Sequence, residues 1–179
     1  MGRSQSGQAL VEFTLVGFIV LFLLFGMIDF CRSISTDQVI INLSREGANL
    51  AARGSVGTST DAAISNAITD VIAGASPLNI NSSGEVIISA VFNTGQSYVI
   101  SNQISEGYLT VPSKIGVLNG VVTMPIAANA AGAVPQSNQT TFVAEIYYNF
   151  APVTPLGNVL VGNLRGFMVT TQMYDVAYF

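Results

Sequence analysis

The residues that could perform acid–base, nucleophilic or metal chemistry are few and widely spaced. The chain has no histidine, which is the commonest general base, and its single cysteine, Cys31, excludes an intramolecular disulfide and a Cys/His zinc site. No G-x-S-x-G, P-loop or H-E-x-x-H sequence is present. The later acidic residues form no D-x-D-x-D calcium loop and are dispersed at Asp61, Asp70, Glu85, Glu106, Glu145 and Asp175.

These observations predict no catalytic residue, no metal site and no cofactor. The remaining enzymatic alternative is a membrane-tethered hydrolase with a pair of carboxylates, but no spacing in the sequence selects such a pair. Nucleic acid is not expected as a partner, because the net charge is −4 and the basic residues form no cluster. Those six residues are Arg3, Arg32, Arg45, Arg53, Lys114 and Arg165.

One carboxylate is unusual because it lies at the start of an apolar run. Residues 13–28 include no charged side chain, and a helix from Gln8 to residue 28 would span about 32 Å, close to the thickness of a bilayer hydrocarbon core, about 30 Å. An ionisable group inside such a span costs several kcal/mol, so Glu12 needs a cationic partner or a proton. The alternative is that Glu12 lies at the headgroup boundary, where its charge is tolerated.

The whole chain has the composition of a protein that is partly solvated by lipid or by other subunits. Half of its residues are hydrophobic and only 9% are charged, against about 25% in an ordinary soluble domain. The apolar spacing predicts one continuous helix over residues 8–53, with a transmembrane segment at about residues 10–30. Asp29, Arg32 and Asp37 mark the exit from the membrane, and glycines at 54 and 57 end the helix.

The remainder, residues 54–179, is predicted to be a small α+β head with one short helix and an antiparallel sheet. Ser59 or Thr60 can cap a helix that ends near Gly74 and Pro77. Strands are predicted at residues 85–93, 97–101, 141–150 and 166–179, with a hairpin turn at 94–96 and a weaker strand at 121–125. Glu145 alternates with apolar neighbours and is expected on a solvated sheet face. The aromatic residues of the late strands are expected in the sheet core or at a subunit contact.

The N-terminus allows several kinds of processing. A conventional signal peptide would be cleaved near Ser33–Ser35, although Asp29 and Arg32 are unusual before such a site. A lipoprotein site at Cys31 is disfavoured, because Asp29 and Phe30 precede it where small or aliphatic residues are expected. An uncleaved single-span anchor is the third alternative.

The first residues, MGRSQSG, are short, polar and basic, and Gly7 precedes the apolar helix with Glu12 as the fifth residue after it. This pattern, G-x-x-x-x-E-F, resembles type IV prepilins, in particular the Tad (Flp, type IVb) branch. The resemblance implies that residues 1–7 are a leader, that a prepilin peptidase cuts after Gly7 on the cytoplasmic side, and that Gln8 becomes the new N-terminus. Glu12 and Phe13 would then be the assembly pair, with the amine of a neighbouring subunit's Gln8 available to Glu12.

Two further segments carry the resemblance. Residues 44–54, SREGANLAARG, resemble the Arg-Glu-Gly-Ala helix end of TadE-like pseudopilins, and residues 143–155, VAEIYYNFAPVTP, resemble their late strand and proline-rich turn. The size of the head favours a minor pilin or pseudopilin over the bulk filament subunit. The implied partners are the prepilin peptidase, other pilin subunits, the inner-membrane assembly platform and membrane lipid.

The resemblance implies a single-pass protein of the inner (cytoplasmic) membrane with an extracytoplasmic head. A subunit built into a filament is the first hypothesis. The alternative is a membrane-anchored binding module of a secretion or surface apparatus that never enters a filament. A conventionally secreted protein, cleaved near Ser35, is the third.

Overall fold

The long N-terminal helix is the dominant element of the computed structural model, which describes residues 5–124, 126, 136–154 and 172–179. Helix α1 runs over Gln5–Gly54 without interruption and confirms the helix predicted at residues 8–53. Its first part is apolar on all sides, and Arg53 in the last turn complements the negative end of the helix dipole. The chain divides into two compact units, Met1–Ser35 with Phe150–Thr171, and Thr36–Asn149 with Gln172–Phe179.

The second unit, here called the sheet unit, begins with the last turns of α1 and continues into α2 at Thr60–Gly74. Ser59 caps α2 by accepting a hydrogen bond from the Ala62 amide, as the sequence predicts. The buried residues of α2 recur every three to four positions, at Ala63, Ile64, Ala67, Ile68 and Val71. A third helix, α3 at Ile80–Ser83, is a single turn that the sequence did not predict.

Four antiparallel strands form the sheet of this unit. They are β1 Gly84–Asn93, β2 Tyr98–Gly107, β3 Thr140–Asn149 and β4 Gln172–Tyr178, in the spatial order β2-β1-β3-β4. The predicted α+β class is therefore confirmed. The predicted hairpin closes where the Thr94 amide donates to the Ser97 carbonyl at 2.9 Å, and Gly95 supplies the positive φ of 86°.

Two of the three remaining strand predictions differ from the structure in extent. Strand β2 continues to Gly107 although its second half is polar, because pairing with the buried β1 compensates for weak strand propensity. The predicted strand at 121–125 is reduced to an isolated bridge between Val121 and Val99, and Pro125 lies outside the described residues. The part of the last predicted strand before Gln172 also lies outside them.

Each face of the sheet is covered by a different layer. On one face Val86, Ile88 and Ala90 alternate inward and are fully buried, and the end of α1 approaches them through Gly47. On the other face Val91, Ile100, Ile115 and Val143 form a second buried cluster. Ile115 comes from the loop at residues 108–124, so this loop takes the place of a second helical layer.

Candidate membrane and assembly segment

The predicted processing and assembly residues lie together in the first turns of α1. Gly7 is exposed, and a Cβ built at Gly7 would meet no atom within 4 Å. The Gln8 side-chain amide donates to Glu12 Oε1 at 3.1 Å, so these two residues share a helix face. Glu12 is itself exposed, and Phe13 beside it is 79% exposed. The residues are therefore adjacent and open to a partner, while their roles in processing and assembly remain predictions.

The surface that follows Glu12 is apolar and uncovered by the chain. An 18-residue stretch of α1 has a mean hydropathy of 2.5, and none of it is buried within the protein. Its polar Thr14 hydroxyl donates to the Leu10 carbonyl at 2.8 Å, so it adds no unsatisfied donor to the helix surface. Exposed apolar surface of this extent needs lipid or other helices around it. Length and composition qualify α1 as a membrane span, as they would qualify a signal sequence.

The family comparison concerns this same segment. The family model of TadE-like proteins matches residues 7–49. Over these residues the chain is similar to TadE-like proteins. No curated protein and no solved structure matches the chain.

The TadE-like match carries three general consequences. It associates residues 7–49 with a family of Tad pilus proteins. It gives α1 the character of a pilin N-terminal helix, which is consistent with a single-pass membrane anchor. The match begins at Gly7 and includes Gln8, Glu12 and Phe13, so the resemblance in the leader region and the family match coincide.

The end of the TadE-like segment has a clear packing role within the sheet unit. Ser44 is fully buried, and its hydroxyl hydrogen-bonds Asp175 on β4 and the Ile41 carbonyl. One turn later, a Cβ at Gly47 would lie 3.1 Å from Val71 Cγ2 and 3.5 Å from Ile88 Cδ1. Ser44 and Gly47 therefore let the helix approach the sheet and fix the last strand. This is a physical reason for the Ser-Arg-Glu-Gly order in the sequence.

Asp29 has a role that the sequence did not reveal. It was predicted only to mark the membrane exit, but its carboxylate is buried and Oδ1 accepts hydrogen bonds from the amides of Val153 at 3.0 Å and Thr154 at 3.3 Å. The Thr154 hydroxyl donates to Oδ2. An acidic residue at the end of an apolar run, together with a later proline-rich turn, is the sequence signal that could have indicated this contact. The later residues of that turn, Pro155 and Leu156, lie outside the described residues.

The prediction that Glu145 lies on a solvated sheet face is wrong. Glu145 has no exposed surface. Its carboxylate accepts hydrogen bonds from the Lys114 amide at 2.9 Å, the Tyr174 hydroxyl at 3.0 Å and the Tyr147 hydroxyl at 3.3 Å, and also from the Ser113 hydroxyl. The 108–124 loop covers this face, and a loop that packs on a sheet leaves no periodic signal in the sequence.

A second strand carboxylate holds the same loop. Glu85 is buried on β1, and its Oε2 accepts the Val111 amide at 2.8 Å. The Lys114 ammonium lies 3.4 Å from the ring centroid of Tyr174, which in turn lies 4.8 Å from the ring centroid of Tyr147. The carboxylates of Glu85 and Glu145 are thus engaged by backbone and hydroxyl donors, so the arrangement positions a loop.

The aromatic residues of the late strands divide between core and surface. Tyr147 and Phe150 are buried, whereas Phe179 is exposed. Burial raises the pKa of Tyr147 and of Tyr174, and the negative charge of Glu145 raises both further. These hydroxyls therefore remain protonated donors to Glu145.

Proposed function

We propose that this protein is an assembly subunit of a Tad-type pilus, a minor pilin or pseudopilin that is trimmed by a prepilin peptidase and packs through its N-terminal helix. The observation that carries the proposal is an apolar helix, uncovered by its own chain, with an exposed carboxylate five residues after Gly7. The TadE-like match over residues 7–49 supports the same conclusion. In this proposal residues 1–7 are the cytoplasmic leader and residues 54–179 are the exported head.

Glu12 would set the register between neighbouring helices. Within the chain its described hydrogen bond is to a neutral amide, that of Gln8, so no cation of α1 compensates its charge in the apolar segment. Trimming after Gly7 would create an ammonium group at Gln8, one helical turn away from Glu12. Pairing of this ammonium with the Glu12 carboxylate of an adjacent subunit would remove the cost of a charge in lipid and would fix the axial offset of the two helices.

The first test is the N-terminus and intact mass of the full chain from membranes that contain an active prepilin peptidase. A chain that begins at Gln8 and retains the apolar helix is expected. Gly7→Leu should abolish trimming, whereas Gly17→Leu should leave it unchanged, because both glycines are equally uncrowded on α1 but only Gly7 lies at the proposed cleavage site. A chain that still begins at Met1, or one that begins near Ile34, would overturn the pilin proposal.

The alternative function is a membrane-anchored binding module that stays outside the filament. It is favoured by a set of exposed apolar side chains on the 108–124 loop, namely Tyr108, Val117, Leu118 and Val121. Co-purification with sheared filaments distinguishes the two. A filament subunit should be recovered with the sheared material, whereas a binding module should remain with the inner membrane.

A further inference from the structure

A short segment after β3 is tied to α1 at the point where the apolar run ends. Asp29 is the first charged residue after the run at 13–28, and it accepts the amides of Val153 and Thr154 at 3.0 and 3.3 Å. The Thr154 hydroxyl also donates to Asp29, and the guanidinium of Arg32 lies 6.0 Å from the ring centroid of Phe150. These contacts fix residues 150–154 at the height of Asp29 along the helix.

This height corresponds to a bilayer boundary if α1 spans the membrane. A helix from Gln8 to residue 28 covers about 32 Å, which matches a hydrocarbon core of about 30 Å. Asp29 then lies one residue beyond the core. The amides of Val153 and Thr154 lie within hydrogen-bond distance of its carboxylate, so they lie at the same depth.

The side chains at this height combine apolar and basic character on the outside of the protein. Val153 is 65% exposed, and Phe30, next to Asp29 on α1, is exposed as well. Arg32 is exposed one turn after Ile28 and two turns after Phe25. Aliphatic and aromatic side chains beside a long basic one are typical of the interface between acyl chains and headgroups.

We propose that residues 150–154 form a second, peripheral contact with the lipid bilayer, with Val153 inserted at the acyl boundary and Arg32 at the level of the headgroup phosphates. The proposal depends on the membrane placement of α1 in the proposed function. Lipid is the occupant favoured by continuity, because the exposed side chain of Val153 adjoins the end of the apolar surface that lipid would already cover. The contact would fix the rotation and depth of α1 where it leaves the membrane.

Tryptophan fluorescence tests this contact, because the chain has no tryptophan of its own. Three single variants of the full chain, Val153→Trp, Leu21→Trp and Val117→Trp, would be reconstituted in vesicles of phosphatidylcholine and phosphatidylglycerol, with and without lipids brominated near the headgroup or deep in the acyl chain. Val117 is a matched control, since it is a valine of 68% exposure whose carbonyl is bonded within its own loop, to the Gly120 amide. It also controls for the preference of tryptophan itself for interfaces.

We expect shallow bromines to quench Val153→Trp at least about twofold more than Val117→Trp, because an interfacial side chain lies near the headgroup boundary. Deep bromines should quench Leu21→Trp. Adding Asp29→Ala to Val153→Trp should remove the shallow quenching, since the tether is lost. Equal quenching of Val153→Trp and Val117→Trp, with Leu21→Trp still quenched, would overturn this proposal and leave the membrane span intact.

Two other outcomes are also decisive. If none of the three tryptophans is quenched, α1 does not span the bilayer and the proposed function falls together with this inference. If Val153→Trp is protected from lipid quenching but its emission shifts to shorter wavelength as protein concentration rises, a second copy of the chain covers the segment, and the lipid contact is overturned.

Discussion

Glu12 and Glu145 both lie among apolar residues, and their hydrogen-bond partners distinguish their roles. Glu145 is fully buried and accepts hydrogen bonds from two tyrosine hydroxyls, a serine hydroxyl and a backbone amide. Glu12 is exposed and is bonded to the side chain of Gln8. A saturated carboxylate stabilises its own fold, whereas a carboxylate exposed on an apolar helix is suited to an intermolecular partner.

Removing the charge of Glu12 should impair assembly without unfolding the subunit. We expect Glu12→Gln to lower recovery in sheared filaments by about tenfold, since loss of about 1.4 kcal/mol from an intersubunit contact has that effect on an association constant. Asp37→Asn is the matched control, because Asp37 is exposed on the same helix after the apolar run. Quantitative blotting of sheared and membrane fractions measures the effect. Normal filament recovery for Glu12→Gln would contradict a register role.

Replacing Glu145 with glutamine should destabilise the sheet unit. Glutamine keeps one acceptor oxygen but places an amide donor against hydroxyl and amide donors, so we expect a loss of about 1–3 kcal/mol in the free energy of unfolding. Glu106→Gln, at an exposed position on β2, should change it by less than about 0.5 kcal/mol. Urea unfolding of the full chain in detergent, followed by circular dichroism, would decide; equal midpoints for the two variants would show that the Glu145 contacts contribute nothing.

The tyrosines around Glu145, of which Tyr147 is buried and Tyr174 and Tyr178 are half-buried, make stability depend on pH in the alkaline range. Burial, reinforced by the charge of Glu145, raises the pKa of Tyr147, Tyr174 and Tyr178 above the ordinary value of 10.0. As pH rises above that value, these side chains lose protons in the unfolded chain before they do so in the folded one. The unfolded state then binds fewer protons, so stability is complete below that pH and decreases above it.

The urea concentration at the unfolding midpoint should therefore decrease as the pH is raised from about 9 to about 11. Tyr174→Phe removes one of the titrating groups, so its midpoint should fall less steeply, whereas Tyr108→Phe at an exposed position should follow the unmodified protein. A midpoint that rises with pH over this range, or the same slope for both variants, would contradict the assignment.

At the scale of elements, the close approach of α1 to the sheet depends on Gly47. A Cβ there would already lie 3.1 Å from Val71 and 3.5 Å from Ala144, so a longer side chain must displace α2 or the sheet. We expect Gly47→Leu to cost about 1–3 kcal/mol or more through overpacking. Glu46→Leu is the control, since Glu46 is the preceding residue and is exposed. Thermal unfolding of the full chain measures both, and equal melting temperatures would refute the packing role.

The elements that the sequence predicts correctly are those with a regular spacing of hydrophobic residues or with residues that mark the start or end of a helix. The helix period and its terminal glycines predicted α1, and Ser59 predicted the start of α2. Strands β1 and β3 followed from their β-branched and aromatic residues. The polar half of β2 and the single turn of α3 were missed, because their structure depends on packing against β1 rather than on local preference.

The burial of Asp29 and Glu145 could not be predicted from the sequence either. Glu145 lies between Ala144 and Ile146. Because successive side chains of a strand point to opposite faces of the sheet, this pattern predicts that Glu145 faces solvent. The structure covers that face with a loop from 31 residues earlier in the chain, so both faces of β3 are buried. Asp29 accepts hydrogen bonds from Val153 and Thr154, which are so far away in the sequence that no local pattern could indicate the contact. The candidate segment at Gly7, Gln8, Glu12 and Phe13 was visible because its residues are contiguous.

At the scale of the whole molecule, the distribution of charge separates a helical segment suited to lipid from a sheet unit suited to water. Charged residues are absent from the apolar run of α1 and reappear after it, whereas the sheet unit contains its own buried core on both faces of the sheet. In the described residues, α1 leaves an apolar surface uncovered, whereas the sheet unit closes its own core. These two features suit a subunit whose sheet unit folds on its own but whose helix still needs lipid or partner helices around it.

The position of Lys114 has a practical consequence. It is the only lysine of the chain, and its ammonium stacks on Tyr174. Reagents that acylate primary amines therefore have one side-chain target besides the α-amino group of the terminus. Because the aromatic contact restrains that side chain, its acylation by a fluorescent succinimidyl ester should be slower than that of a freely exposed lysine. The rate of this acylation would report whether the loop at residues 108–124 stays packed against β4.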